Sequence, residues 1–169
     1  MYRSGSSAQA RILQEAAYAR LKQSFATSQD PMYRLRTPWL SPCTLGESHT
    51  VDGALQALTL IYGPWDTEQP HVRVTTWREL PGQDFAPDAP AGLLAAARDV
   101  TVDIEGGATP GTLVRLSDET WLLRVDSGPL HLLASGRGPS GELSFERLTD
   151  LTAVVDARRV LLASLRRDG

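Results

Sequence analysis

The sequence predicts an α+β fold: a single domain, 1–169, with one twisted, mainly antiparallel sheet of about six to seven strands packed by N-terminal and C-terminal amphipathic helices. Three observations carry this expectation. Between Val100 and Phe145, apolar and polar residues alternate in short bursts, each closed by Gly, Pro, Ser or Asp, the pattern of an antiparallel meander. Apolar stripes at helical spacing lie before and after it. The chain has 169 residues, 41% hydrophobic and 22% charged, enough to bury one substantial core without a disulfide or structural metal.

The elements follow in order. Residues 1–7 are small and polar and read as a flexible start. Over 8–29, Ile12, Leu13, Ala16, Ala17, Leu21 and Phe25 form one apolar stripe, with Arg11, Gln14, Glu15, Lys22 and Gln23 opposite, which predicts a surface helix ended by Asp30-Pro31. Residues 30–54, punctuated by Pro31, Pro38, Pro42 and Gly46, read as an irregular segment that packs its aromatics, with a short edge strand at 33–36. The sheet is expected over 55–146. Leu58, Leu60 and Tyr62 share one strand face, and so do Val72, Val74 and Thr76. A Pro- and Gly-rich passage and a short helix near 91–98 then cross to the second part of the sheet.

There the inward sets are Val100, Val102 and Ile104; Thr112, Val114 and Leu116; Trp121, Leu123 and Val125; Leu130, Leu132 and Ala134; and Leu143 with Phe145. The intervening breaks, including Gly106 to Gly111, are short, so consecutive strands are expected to be neighbours. A last helix, 149–167, carries Leu151, Val154, Val155, Leu161, Leu162 and Leu165 on one side.

Charge and composition exclude several functions. A net charge of −3 lacks the basic stripe of a nucleic-acid module, so no nucleic acid is expected as a partner. Nothing apolar approaches the ~20 residues that span a bilayer, and no secretory leader is visible, so the expectation is a cytoplasmic protein with no membrane contact. Cys43 is the only cysteine, which rules out an internal disulfide. Lysine, asparagine and isoleucine are scarce or absent, the mark of a high-GC, bacterial genome.

No motif reaches the specificity of an active site, so no cofactor, metal or catalytic residue is assigned. Gly136 to Gly141 has the spacing of a dinucleotide fingerprint, but it leads into a strand, and Pro139 removes an amide, so it reads as a hairpin loop. His49, His71 and His131 lie far apart, without the paired spacing of a zinc site. Ser48, His49 and Asp52 include hydrolase residue types without a nucleophile elbow. Asp103 and Glu105 read as a solvated strand face.

The more informative pattern is the sheet side away from the proposed core. There Ile61, Trp77, Leu113, Leu122 and Leu133 alternate with Arg73, Arg115, Arg124, His131, Asp103 and Glu105, and Trp and Arg are the residues that most often anchor protein contacts. The expectation is a non-enzymatic protein-binding module (adaptor, chaperone-like or immunity-type) that uses Arg73, Trp77, Leu113, Arg115, Leu122, Arg124, His131 and Leu133. The partner would be another protein or a second copy in a homodimer. The alternative is a small-molecule-binding or enzymatic α+β protein with a pocket between sheet and helices.

Overall fold

The computed structural model describes residues 15–16, 19–26, 32–36, 43–63, 68–79, 97–128, 130–140 and 143–149. They form one short helix, α1, at 19–26, and nine strands. These are β1 (Tyr33–Leu35), β2 (Cys43–Val51), β3 (Ala54–Tyr62), β4 (His71–Trp77), β5 (Arg98–Ile104), β6 (Gly107–Arg115), β7 (Thr120–Ser127), β8 (Leu130–Arg137) and β9 (Ser144–Arg147). All nine belong to one sheet, in the order β1-β9-β5-β6-β7-β8-β4-β3-β2, antiparallel except for β5 beside β9.

Among the described residues the protein is therefore more sheet-rich than expected, with nine strands instead of six or seven. The segment 30–54 is not simply irregular, because it contains both edge strands. The flexible start at 1–7, most of the helix near 91–98 and the C-terminal helix at 149–167 fall outside the described residues, and Arg98 already belongs to β5. Of the N-terminal helix, α1 places Leu21 and Phe25 against the core and leaves Lys22 and Gln23 exposed, as its stripe requires.

The sheet is rolled. β1 and β4 are six strand steps apart, about 29 Å if the sheet were flat. Yet the Tyr33 backbone N–H donates to Thr76 Oγ1 at 3.4 Å, Thr76 Oγ1 donates to Met32 Sδ at 3.4 Å, and the Leu35 N–H donates to the Tyr62 hydroxyl at 2.9 Å. Only a strongly curved sheet brings its first strand back to its seventh and eighth. The core inside the roll contains Leu58, Leu60, Val74, Val102, Trp121, Leu123, Val125, Leu132 and Phe145, capped by Leu21. Val102, Leu123 and Leu132 are all buried, so the expected facing holds for β5, β7 and β8.

It fails for β6, for a geometric reason. The connection from β5 is not a loop over 106–111 but a two-residue turn at Glu105 and Gly106, with φ of 53° and 80°, and β6 starts at Gly107. Positive φ at both central residues is the type I′ hairpin, which fixes register. Ile104 then opposes Gly107, and Leu113 opposes Leu123. Every β6 side chain is thus on the face opposite to the one expected: Leu113 enters the core, and Val114 lies on the outer side.

Two other connections also depart from expectation. Asp52 and Gly53, with φ of 51° and 78°, make a second such turn between β2 and β3. Beyond it, Gln56 is the extra residue of a bulge in β3, because His49 opposes Ala57 while Thr50 opposes Leu55. That bulge explains how Leu55 and Ala57, two residues apart, belong to opposite faces. Gly136 to Gly141 is not a hairpin either: β8 and β9 are not adjacent, and the chain crosses between them to pair β9 with β1 and β5.

Candidate interaction surface

The outer face divides into a covered half and an open half. In the covered half, Ala57, Trp77, Val114, Leu122 and Leu133 form a second apolar cluster, with Ala97 packed against it. Trp77 is 4% exposed and Leu122 7%. Beside them Thr59 and Thr75, also buried, share a hydrogen bond between their hydroxyls at 2.8 Å. Large apolar side chains so thoroughly withdrawn from water act as core.

The open half spans β5, β6 and the end of β7. Cross-strand register builds it in rows: Trp77, His131 and Asp126 are successive partners across β4, β8 and β7, while Leu133, Arg124, Thr112 and Asp99 cross from β8 to β5. Trp77 and His131 stack, with ring centroids 5.4 Å apart and 20° between planes. His131 Nδ1 lies 2.6 Å from Asp126 Oδ1, and its Nε2 lies 3.4 Å from Glu79 Oε1. Arg124 Nε donates to Asp126 Oδ2 at 2.7 Å. Beside it, on the Arg124 and Asp126 side, a groove of ≈ 540 Å³ is lined by Asp99, Thr101, Pro110, Thr112, Arg124 and Asp126 among others.

Asp126 sits at the junction. Burial raises its pKa, but hydrogen bonds from Arg124 and His131, together with their charges, outweigh that and hold the carboxyl below its ordinary value. The imidazole stacks on the Trp77 ring and lies between the Asp126 and Glu79 carboxylates.

The expected contact residues therefore separate. Arg124 and His131 come together on Asp126, at one side of the groove, and Arg73 is exposed on the same face. Trp77, Leu122 and Leu133 lie on the outer face but are buried. Leu113 is on the inner face, and Arg115, opposite Trp121, is on the inner side at the end of β6, both because of the turn at Glu105. Asp126, Glu79, Asp99 and Thr112 join the site unanticipated. The signal for Asp126 was present, since it follows Arg124 by two and so shares its face, while its pairing with His131 needed the hairpin register.

The remaining candidates have structural roles. Ser48 and His49 oppose Leu58 and Ala57, which lie on different faces, so they do not converge as a catalytic pair. Asp103 accepts the Gly106 N–H at 2.7 Å and closes the turn, whereas Glu105 lies in that turn, 3.2 Å from Arg147, and not on the strand face. Burial first, then the Glu105 charge, raises the pKa of nearby Tyr33, against the opposing effect of Arg147. Among the described residues no cluster of three His, Cys, Asp or Glu side chains is arranged to hold a metal ion, and no helix is long and apolar enough to cross a membrane.

Comparison with known proteins finds no family model that matches the chain, no similar curated protein and no matching solved structure. Function has to be argued from the site alone.

Proposed function

We propose that this chain is a non-enzymatic protein-binding module whose partner docks across the open half of the outer face, with Arg124 and His131 as anchors. One observation carries the reading: Arg124 and His131 both hydrogen-bond to the Asp126 carboxylate, and Arg124 and Asp126 line an open groove on the outer face. Side chains already tied to one another lose less rotamer entropy on binding, and arginine is among the residues that most often anchor protein contacts. The groove has both charge signs, which suits a polar protein surface better than a polyanion.

The test is co-purification from the native host with wild type, Arg124→Glu and Asp126→Arg chains. A partner held by wild type and lost with both variants, each still folded by circular dichroism, supports the reading. Equal retention by all three overturns it.

A second reading, a small-molecule site, is favoured by the cavity of ≈ 680 Å³ between helix and sheet, lined by Arg20, Gln23, Ser24, Ser48, Thr50 and Asp52 among others. Thermal-shift screening against metabolites separates the two. Reproducible stabilisation by one compound, lost in Arg20→Ala, favours this pocket.

A further inference from the structure

The inner side of the sheet changes character where β3 meets the end of β2. Ser48 opposes Leu58 and Thr50 opposes Leu55, and directly opposed residues share a face, so both hydroxyl side chains lie on the concave side with the core. Leu58 is 1% exposed and Leu55 0%, yet Ser48 and Thr50 are exposed. α1, anchored by Leu21 in the core, stands off from this part of the hairpin across the cavity of ≈ 680 Å³, whose lining includes Arg20, Ser48, Thr50 and Asp52. That volume is within the range of ligand pockets, roughly 300–1,000 Å³. Hydroxyl-lined space of this size takes up water or a polar ligand, whereas an apolar cavity stays dry.

Two charges select the ligand. Arg20 comes from the helix and Asp52 from the turn between β2 and β3, and among the described residues neither is paired with the other or with a third group. A guanidinium offers only donors and a carboxylate only acceptors. An anion placed at Arg20 meets like charge at Asp52, and a cation placed at Asp52 meets like charge at Arg20. An apolar ligand would take water from both without replacing its hydrogen bonds. A zwitterion satisfies the two together, and the hydroxyls of Ser48 and Thr50, each able to donate and to accept, suit the polar atoms between its ends.

We propose that this cavity binds a zwitterion of the amino-acid kind, a free α-amino acid or a short peptide with both termini free, its carboxylate at Arg20 and its ammonium group at Asp52. Such binding rests on the small-molecule reading of the cavity and is independent of the groove on the outer face.

Thermal unfolding of the full chain with each standard amino acid, and with trialanine, finds the best probe, because a ligand of the folded state raises the transition temperature. Whether an amino acid or trialanine stabilises more tells the two sources apart. That probe is then titrated by calorimetry beside its N-acetyl form and its C-terminal amide. Blocking either end should weaken binding about tenfold. Asp52→Asn, a residue that tolerates the left-handed turn conformation, should weaken the free probe about as much and the N-acetyl form no further. Arg20→Gln should weaken the free probe likewise and leave the amide unaffected. Lys22→Gln, which changes an exposed cation of α1 outside the lining, should alter nothing. Circular dichroism checks that each variant is folded. No stabilisation by any of these zwitterions, blocked forms that bind as tightly as the free one, or binding indifferent to both Asp52→Asn and Arg20→Gln overturns the proposal. Stabilisation by a compound of another class, lost in Arg20→Ala, would overturn this ligand assignment and leave the pocket reading standing.

Discussion

Gly136→Ala should destabilise the protein, although the rules for strands alone give the opposite sign. Gly136 lies within β8 and its backbone needs no positive φ. Replacing such a glycine with alanine ordinarily gains roughly 0.4–1 kcal/mol by restricting the unfolded chain. Here, however, a Cβ would lie 2.7 Å from the His71 carbonyl oxygen, 2.8 Å from Trp121 Cζ2 and 3.1 Å from Val72 Cγ2. The first contact is backbone of the paired strand and cannot swing away. The second belongs to an indole that is 2% exposed and tied by its Nε1 N–H to the Gly138 carbonyl at 3.1 Å. Displacing that ring endangers a hydrogen bond worth about 1 kcal/mol, on top of overpacking that typically costs about 1–3 kcal/mol. The net expectation is a loss of about 1–2 kcal/mol. Urea unfolding followed by tryptophan fluorescence and by far-UV circular dichroism measures it. Trp121→Phe should recover part of the loss in a double-mutant cycle, because it withdraws the ring edge, while the His71 contact persists. If Gly136→Ala is as stable as wild type or more so, the close approach of β8 to β4 and Trp121 is wrong.

Trp77→Ala should cost about 3–5 kcal/mol in the same urea assay, because the ring is core on the outer face, and a change under 1 kcal/mol would mean that this cluster is not covered. Thr59→Val alone should cost about 1–3 kcal/mol by stranding the Thr75 hydroxyl, whereas Thr59→Val with Thr75→Val should be nearly neutral; additive losses would refute the pairing. The depressed Asp126 pKa has a definite sign: its contribution is fully present above the ordinary carboxylate pKa and disappears as pH falls through the lower folded value. Asp126→Asn should therefore flatten the acid limb of the stability curve measured by thermal unfolding, and an unchanged limb would show that Arg124 and His131 do not hold the carboxylate.

Much of the sheet was legible in the residues because strand alternation is a local property. Val72 and Val74, Trp121 to Val125 and Leu132 with Ala134 announce their inward side directly. β6 was not, because Thr112 to Leu116 is apolar enough on both sides to satisfy either parity. What chose was the turn: with Glu105 taking a left-handed conformation that favours Gly or Asn, β6 begins at Gly107, five residues before the Thr112 that the Gly-rich stretch suggested. The Asp52-Gly53 turn was the clearer hairpin signal, and it converts the Pro-studded approach into edge strand β2. Of the site, Arg124 and His131 were visible as polar positions on the outer side. Their connection through Asp126 depends on pairing across β7 and β8.

By itself, the sequence determined an alternating, half-buried chain with an apolar helix stripe, a single cysteine and no strong catalytic signature, because hydrophobic period and composition act locally. Only the tertiary structure decided that the sheet rolls until β1 meets β3 and β4, that Trp77 and Leu122 are core and that Leu113 turns inward. Long-range pairing and curvature set which apolar side chains lose contact with water, and neither is encoded in any one strand.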